Sequence, residues 1–326
     1  MVFAKVNSAG PRVGVVGWVP PVYAREPWWK SSERSRELLE ETAGYIYEAA
    51  STLVEIPTLR SDSRRFMSES KQQEMIVGYA LSGTFLVTGG TRGIGRAISV
   101  EFARAGACVI ANYLRNETSA GDLEAVAKAE NLPIDLCRAD LTTPDGLRKT
   151  VAAVERSGSP LSGLVHCAAI GAHRPVTDLT VRHFDWTMAL NVRSFFELAK
   201  LLLPSFVAGS SIVVLSSPGA SRAVPDYAVV GASKGALESL ARHLAVELAP
   251  RGIRTNILAP GAIATDAWKA IPDGEAKLAE AATKSPLRRL VRPEEVASVA
   301  RFLCSPAATG VNGHTLVVDG GASIAS

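Results

Sequence analysis

From Leu81 onward the hydrophobic residues follow two alternating patterns. Short apolar runs at Phe85–Thr88, Cys108–Tyr113, Ile134–Arg138, Leu164–Ala168, Ile212–Ser216, Thr255–Leu258 and Thr315–Val318 predict strands. Between them, apolar residues at steps of three and four predict helices over Ile98–Ala105, Leu123–Ala129, Leu147–Val154, Phe184–Leu203, Ala236–Leu248 and Glu294–Leu303. Most of the strand runs are apolar at successive positions, which suits strands covered on both faces of a parallel sheet. Their alternation with helices predicts right-handed crossovers and an α/β fold, a doubly wound parallel sheet with helices on both faces. Ligands of such sheets bind at the carboxyl ends of the strands.

Before Leu81 the pattern is different. Residues 1–80 open on a stretch rich in proline and tryptophan (Trp18, Pro20, Pro21, Pro27, Trp28, Trp29). One helix follows, with Ser31 and Ser32 as N-cap candidates and Leu39, Ala43, Ile46, Ala50 and Leu53 along one face. The chain is therefore expected to divide into a partly helical N-terminal extension, 1–80, and a main domain, 81–326.

Composition narrows the function classes. The 326 residues are 47% hydrophobic and 21% charged, ordinary values for a globular protein. Basic and acidic residues nearly balance, 35 against 32, and no basic run stands out, so no nucleic-acid partner is expected. Cys108, Cys137, Cys167 and Cys304 lie far apart without C-x-x-C pairing, and they read as buried free thiols in a reducing compartment. Pro11, Arg12, Pro20 and Pro21 interrupt any signal-peptide core, and no apolar stretch approaches the ~20 residues that span a bilayer. These features point to the cytoplasm and to no membrane partner. The five histidines form no His-Glu-x-x-His pattern, so no metal is expected.

The first strand of the main domain runs into Thr88-Gly89-Gly90-Thr91-Arg92-Gly93-Ile94-Gly95, and a helix follows. Glycines at 89, 93 and 95 permit a tight turn and let the backbone approach a pyrophosphate, whose charge the first amides of the helix stabilise. The loop ends in Gly-Arg rather than Gly-Lys-Ser/Thr, which argues against a Walker phosphate loop. After the second strand, NAD enzymes place an acid that accepts from the ribose hydroxyls. This chain has Ala111-Asn112-Tyr113-Leu114-Arg115 there. No carboxylate stands ready to repel a 2′-phosphate, while Arg92 and Arg115 can pair with one, so NADPH is the expected cofactor.

Together with that loop, Ala139-Asp140-Leu141, Asn191, Ser216-Ser217, Gly231-Ala232-Ser233-Lys234, Asn256, Pro260-Gly261-Ala262-Ile263-Ala264-Thr265 and Val318-Asp319-Gly320-Gly321 resemble a short-chain dehydrogenase/reductase over roughly Leu81–Ser326. The resemblance implies a Rossmann-type fold. It also implies a cofactor site formed by Gly89, Thr91, Arg92, Gly93, Ile94, Gly95, Arg115, Asp140 (toward the adenine), Leu141, Ala168, Pro260, Gly261, Ile263, Thr265 and Lys234. Two departures from the family pattern stand out. The family's usual Asn-Asn-Ala-Gly is here His166-Cys167-Ala168-Ala169, with His166 read as structural. The usual catalytic tyrosine, four residues before the lysine, is Val230, and the nearest tyrosine is Tyr227, seven residues before Lys234. Tyrosine, six residues, then lysine resembles the NADPH-dependent enoyl-acyl-carrier-protein reductases of the divergent III branch.

Chemistry distinguishes the two spacings. Carbonyl reduction sends hydride to the carbon of the C=O that is protonated. Enoyl-thioester reduction sends hydride to the β-carbon and develops charge on the more distant thioester oxygen, where a donor must be aimed. By resemblance, Tyr227 is that donor, and Lys234 holds the nicotinamide ribose and lowers the phenol's pKa. Ser217 occupies the family's catalytic-serine position, with assistance to the substrate oxygen or no role both open. Asn191 reads either as support for a proton-relay water or as a hydrogen-bonding break in a buried helix. Trp268, Ile271 and Leu278, in the segment where the family keeps a substrate lid, read as cover for an acyl chain or as core. The expected activity is NADPH-dependent reduction of an enoyl thioester, a fatty-acyl or polyketide chain on acyl carrier protein or CoA. The alternatives are a carbonyl reductase and a non-catalytic NADPH-binding scaffold. The family further implies a homo-oligomer, the tetramer, in keeping with the several apolar faces of Phe184–Leu203 and Ala236–Leu248.

Overall fold

A computed structural model describes residues 2–4, 15–17, 79–266, 268, 271 and 273–325. Contacts divide the chain into two units, Met1–Phe66 and Met67–Ser326. In the first, β1 (Val2–Ala4) and β2 (Val15–Gly17) pair antiparallel. The helix expected over Leu39–Leu53 lies outside the described residues.

The second unit carries β3 (Thr84–Thr88), α1 (Gly93–Arg104), β4 (Cys108–Tyr113), α2 (Glu117–Glu130), β5 (Ile134–Arg138), α3 (Pro144–Arg156) and β6 (Leu161–His166). There follow α4 (Val181–Met188), α5 (Ser194–Leu202), β7 (Phe206–Leu215), α6 (Ala228–Leu248), β8 (Arg254–Pro260), α7 (Gly274–Lys284), α8 (Pro293–Cys304) and β9 (Thr315–Val318). Strands β3 to β9 form one sheet in the order β5-β4-β3-β6-β7-β8-β9, parallel throughout. This is the expected doubly wound sheet. The chain winds outward in one direction from β3 and in the other from β6, so the crevice between their carboxyl ends is the topological switch point.

Successive strand residues point to opposite faces, and each face has its own core. Leu86, Ile212 and Val214 pack with Leu147 and Val154 of α3, Phe195, Leu198 and Leu202 of α5, and Leu237 and Ala241 of α6. Phe85, Val87, Val213 and Leu215 pack on the other face with Ile98 and Phe102 of α1 and Val296, Ala300 and Leu303 of α8. Arg301 of α8 pairs with Glu101 of α1 at 3.0 Å. Thr143 caps α3, accepting from Gly146 N at 3.1 Å, with Pro144 next, where a missing N–H costs nothing.

Three expectations need correction. Strand β6 spans Leu161–His166 instead of Leu164–Ala168, so Cys167 and Ala168 belong to the loop beyond it. The single helix expected over Phe184–Leu203 is α4 and α5 joined by a π-helical turn at Ala189–Arg193. Helix α7 was not signalled by its sequence. Of the four free cysteines, Cys137 and Cys304 are buried, while Cys108 and Cys167 are only half-buried.

Candidate active site

The loop after β3 turns twice through the left-handed region, at Gly89 (φ 63°) and Gly93 (φ 53°). A Cβ on Gly95 would overlap the Gly89 carbonyl oxygen, so only glycine lets α1 start this close to its own strand. The helix begins on the extended residue Arg92 with no side-chain cap. Its first amides are thereby left for an outside anion. Gly89 lies against Ala168 of the loop after β6, and a methyl on Gly93 would stand 3.3 Å from Cγ2 of Thr265. Gly89, Gly93, Ala168 and Thr265 therefore line one crevice at the switch point.

The cradle is tied together from below. Thr88 Oγ1 accepts from Cys167 N and Ala168 N, both at 3.1 Å, and lies 3.0 Å from His166 Nδ1. With two donors already on its oxygen, the single Thr88 hydroxyl proton goes to Nδ1, which makes His166 the Nε2–H tautomer. Burial pushes His166 down to about 3, with the Lys234 ammonium adding to the shift, so the ring is neutral. It packs on Phe195 with ring centroids 5.4 Å apart, a structural placement. Asn112 Nδ2 donates to the carbonyls of Cys137 and Ala139, both at 3.2 Å, and its carbonyl receives Gly90 N at 2.9 Å.

On the adenosine side, Asp140 Oδ1 accepts from Thr142 N at 2.9 Å and from its hydroxyl at 2.7 Å. Leu141 differs from a ligand-facing residue, because its side chain is drawn into the core. Arg92 and Arg115 are exposed at the ends of the first two strands of the sheet. Thr91 and Ile263 are buried. Pro260 ends β8, and Gly261 N donates to Val318 O at 3.0 Å.

On the other side of the crevice, Tyr227 is the residue on which α6 starts. Tyr227, Val230 and Lys234 recur at helical spacing on one face, which sets the Cα of Tyr227 about 10 Å up the axis from that of the lysine. The Tyr227 hydroxyl donates to Ser217 Oγ at 3.1 Å. Burial pushes the phenol above its ordinary value, and the Ser217 bond opposes this. The neighbour whose hydrogen bond lowers the phenol is Ser217. Lys234 is itself buried, donates to Leu215 O at 2.6 Å and is pushed down to about 8 by burial. Val230, 5% exposed, fills the space between, and a Cβ on Gly171 would overlap its Cγ2.

Asn191 sits in the π-helical turn. Its Oδ1 accepts from Ile170 N at 2.8 Å, and its Nδ2 donates to Ile170 O and to Ser233 Oγ, both at 2.9 Å. Both amide protons are committed, so the side chain clamps the loop after β6 to α6 and has no proton left for a relay water. Sequence reasoning missed His173, half-buried with its ring centroid 5.2 Å from that of Tyr227. Burial, then the Lys277 charge, lowers its pKa, against the pull of Asp226.

Trp268, Ile271 and Leu278 line a cavity of about 1150 Å³ whose other walls include Gly93, Arg96 and Ala97 of α1 and Ala297 of α8. Neither Tyr227 nor Ser217 borders it, so the lid's apolar side chains face the cofactor-loop helix rather than the phenol. Among the described residues, no group of three His, Cys, Asp or Glu side chains is placed to hold a metal, and no helix is long and apolar enough to cross a membrane.

A family model described as Enoyl-(Acyl carrier protein) reductase matches residues 89–323. The chain is 35% identical over 241 residues to 1-cyclohexenylcarbonyl-CoA reductase of Streptomyces collinus, covering 73% of this chain and 86% of that one. It is 34% identical to 7alpha-hydroxysteroid dehydrogenase of Escherichia coli (strain K12), covering 72% and 92%. A short chain dehydrogenase from Burkholderia cenocepacia J2315, solved in complex with NADP, superposes with a TM-score of 0.69 at 30% identity, covering 76% and 99%.

Proposed function

The chain belongs to the short-chain dehydrogenase/reductase family of oxidoreductases, and on that premise we propose that it reduces the C=C bond of an enoyl thioester with NADPH. The observation that carries the reading is the phenol: Tyr227, two helical turns from Lys234, is the hydroxyl bonded to Ser217, and the position one turn nearer is filled by Val230 against Gly171. The 1-cyclohexenylcarbonyl-CoA reductase among the relatives lends support from the same chemistry.

A bound NADPH supplies the hydride. The cradle fits such a cofactor, since the loop turns tightly on Gly89 and Gly93 and the first amides of α1 lack a side-chain cap. Those amides would hold the pyrophosphate, Arg92 and Arg115 would pair with the 2′-phosphate, and Asp140 would meet the adenine. Lys234 would hold the nicotinamide ribose with the protons not spent on Leu215. As charge develops on the thioester oxygen, Tyr227 gives that oxygen its proton and the Ser217 hydroxyl turns to donate to the phenolate left behind; the enol then takes a proton from water at its α-carbon while its oxygen proton returns to the phenolate, which leaves the saturated thioester and restores the phenol.

A second reading, carbonyl reduction, is favoured by the Ser217–Tyr227 pair, which would serve a ketone oxygen equally, and by the hydroxysteroid dehydrogenase among the relatives. NADPH oxidation with crotonyl and acetoacetyl thioesters side by side separates the two. Turnover of the first supports enoyl reduction; turnover of the second alone overturns it, and cofactor binding with neither leaves a scaffold. A homo-oligomer, by family analogy a tetramer, is also proposed, because Val181, Phe184, Phe196 and Leu201 of α4 and α5 are exposed.

A further inference from the structure

The Tyr227 ring lies in a slot whose two walls come from different loops. One wall is Gly219, in the 3₁₀ turn Pro218–Ala220 that follows Ser217. A methyl at Gly219 would stand 2.5 Å from Cε1 and 2.6 Å from Cδ1 of the ring. The other wall is the His173 imidazole, tilted 47° to the phenol ring. Both walls are anchored to α6. A Cβ on Gly231 would come within 2.7 Å of the Gly219 carbonyl oxygen, so the turn rests on a bare stretch of helix. Arg174 N donates to Asp226 O at 3.0 Å, joining the His173 loop to the residue before the phenol. Asp226 itself is left-handed (φ 59°), a turn that directs the next side chain into the slot.

We infer that Gly219 and His173 are positioning residues that hold the Tyr227 ring in place and thereby aim its hydroxyl at Ser217 and at the substrate oxygen beside it. The inference rests on Tyr227 being the proton donor. Carbon atoms in contact prefer about 3.5–4.0 Å, so a methyl at 219 drives the ring away by roughly 1 Å. A hydrogen bond of 3.1 Å does not survive a displacement of that size. The groups facing the phenol are Ser217 and His173, with Asp226 and Lys277 acting on His173 from behind. Of these, only Ser217 lies within reach of a methyl at Gly219, its Oγ 3.4 Å away, so a change in phenol acidity reports the disturbed Ser217–Tyr227 bond.

The test uses the full chain and reads the ionisation of Tyr227 by ultraviolet difference titration, with Tyr227→Phe subtracted to isolate its signal. Gly219→Ala is expected to move that ionisation to higher pH, as Ser217→Ala does, and the double variant is expected to move it no further than either alone. With the working substrate, kcat should fall on the order of 10²-fold, the usual scale for a 1 Å misplacement, while NADPH affinity is unchanged. His173→Ala should lower kcat with the same substrate while NADPH affinity is unchanged, and His173→Phe, which restores a flat ring, should return it. A phenol that titrates in the folded Gly219→Ala protein where it does in the wild type, or a His173→Ala protein with wild-type kcat, overturns the inference. Wild-type inactivity toward enoyl thioesters with these titration shifts intact would instead refute only the proposed reaction.

Discussion

His166 makes the stability of this protein depend on acid in a calculable way. Its ring is buried, neutral and held near 3, against 6.5 for an unfolded chain. Between those values the unfolded chain binds a proton that the folded one refuses, so stability is complete above about 6.5 and is lost as pH falls toward 3. The drop from 6.5 to about 3 corresponds to about 5 kcal/mol, a tenfold change in proton affinity being worth about 1.36 kcal/mol. Between pH 7 and pH 5 the share is about 2 kcal/mol by the same linkage. Replacing the ring with an amide that does not titrate, His166→Asn, removes this dependence whatever it does to stability at neutral pH. Urea unfolding of both proteins at pH 7 and pH 5, at one protein concentration, is the measurement. The wild type should lose about 2 kcal/mol more than the variant over that interval. Equal losses would mean that His166 is charged or solvated in the folded protein and would refute the buried neutral ring.

Three further outcomes follow from the site. Tyr227→Phe should lower the rate of the chemical step by roughly 10²–10³, the scale for losing a donor aimed at developing charge; single-turnover NADPH oxidation measures it, and fluorescence titration should show cofactor affinity little changed. Arg92→Ala should weaken NADPH selectively, leaving NADH nearly unaffected, and equal affinities for both cofactors in the wild-type protein would remove the basis for a 2′-phosphate contact. Phe196→Glu, on the exposed side of α5 (47% exposed), should lower the molar mass measured by light scattering if that face joins subunits.

The fold was legible because buried parallel strands are apolar at consecutive positions. All seven strands of the large sheet were anticipated, and Cys108–Tyr113, Ile134–Arg138 and Thr315–Val318 match to the residue. The start of β6 was hidden because Ser162-Gly163 reads as a turn, although both residues lie in the sheet. Helix α7 was hidden because Gly274–Lys284 buries almost nothing and so has no apolar stripe, and it starts on the left-handed Asp273 rather than on a serine or threonine cap. Within the site, spacing along one element was readable: the glycine loop, and Tyr227 on the face of Lys234. What sequence cannot carry is contact between elements. Nothing near Gly219 or His173 announces that they meet the same ring, and only the packing shows the Asn191 amide spent on Ile170 and Ser233.

The π-helical turn between α4 and α5 also bears on which changes of length the chain can absorb. A π turn is an α-helix holding one residue too many, stored as a bulge that leaves the faces of the helix on either side in place. One residue removed between Ala189 and Arg193 would let the ladder close as ordinary α-helix, with Phe195, Leu198 and Leu202 still inward, at the expense of the Asn191 clamp. Helix α6 holds no such reserve. A deletion between Tyr227 and Lys234 would turn the two relative to each other by about 100°, so that one of them leaves the crevice. Relatives of this chain that differ in length should therefore carry their gaps in the first helix pair and keep the second in register.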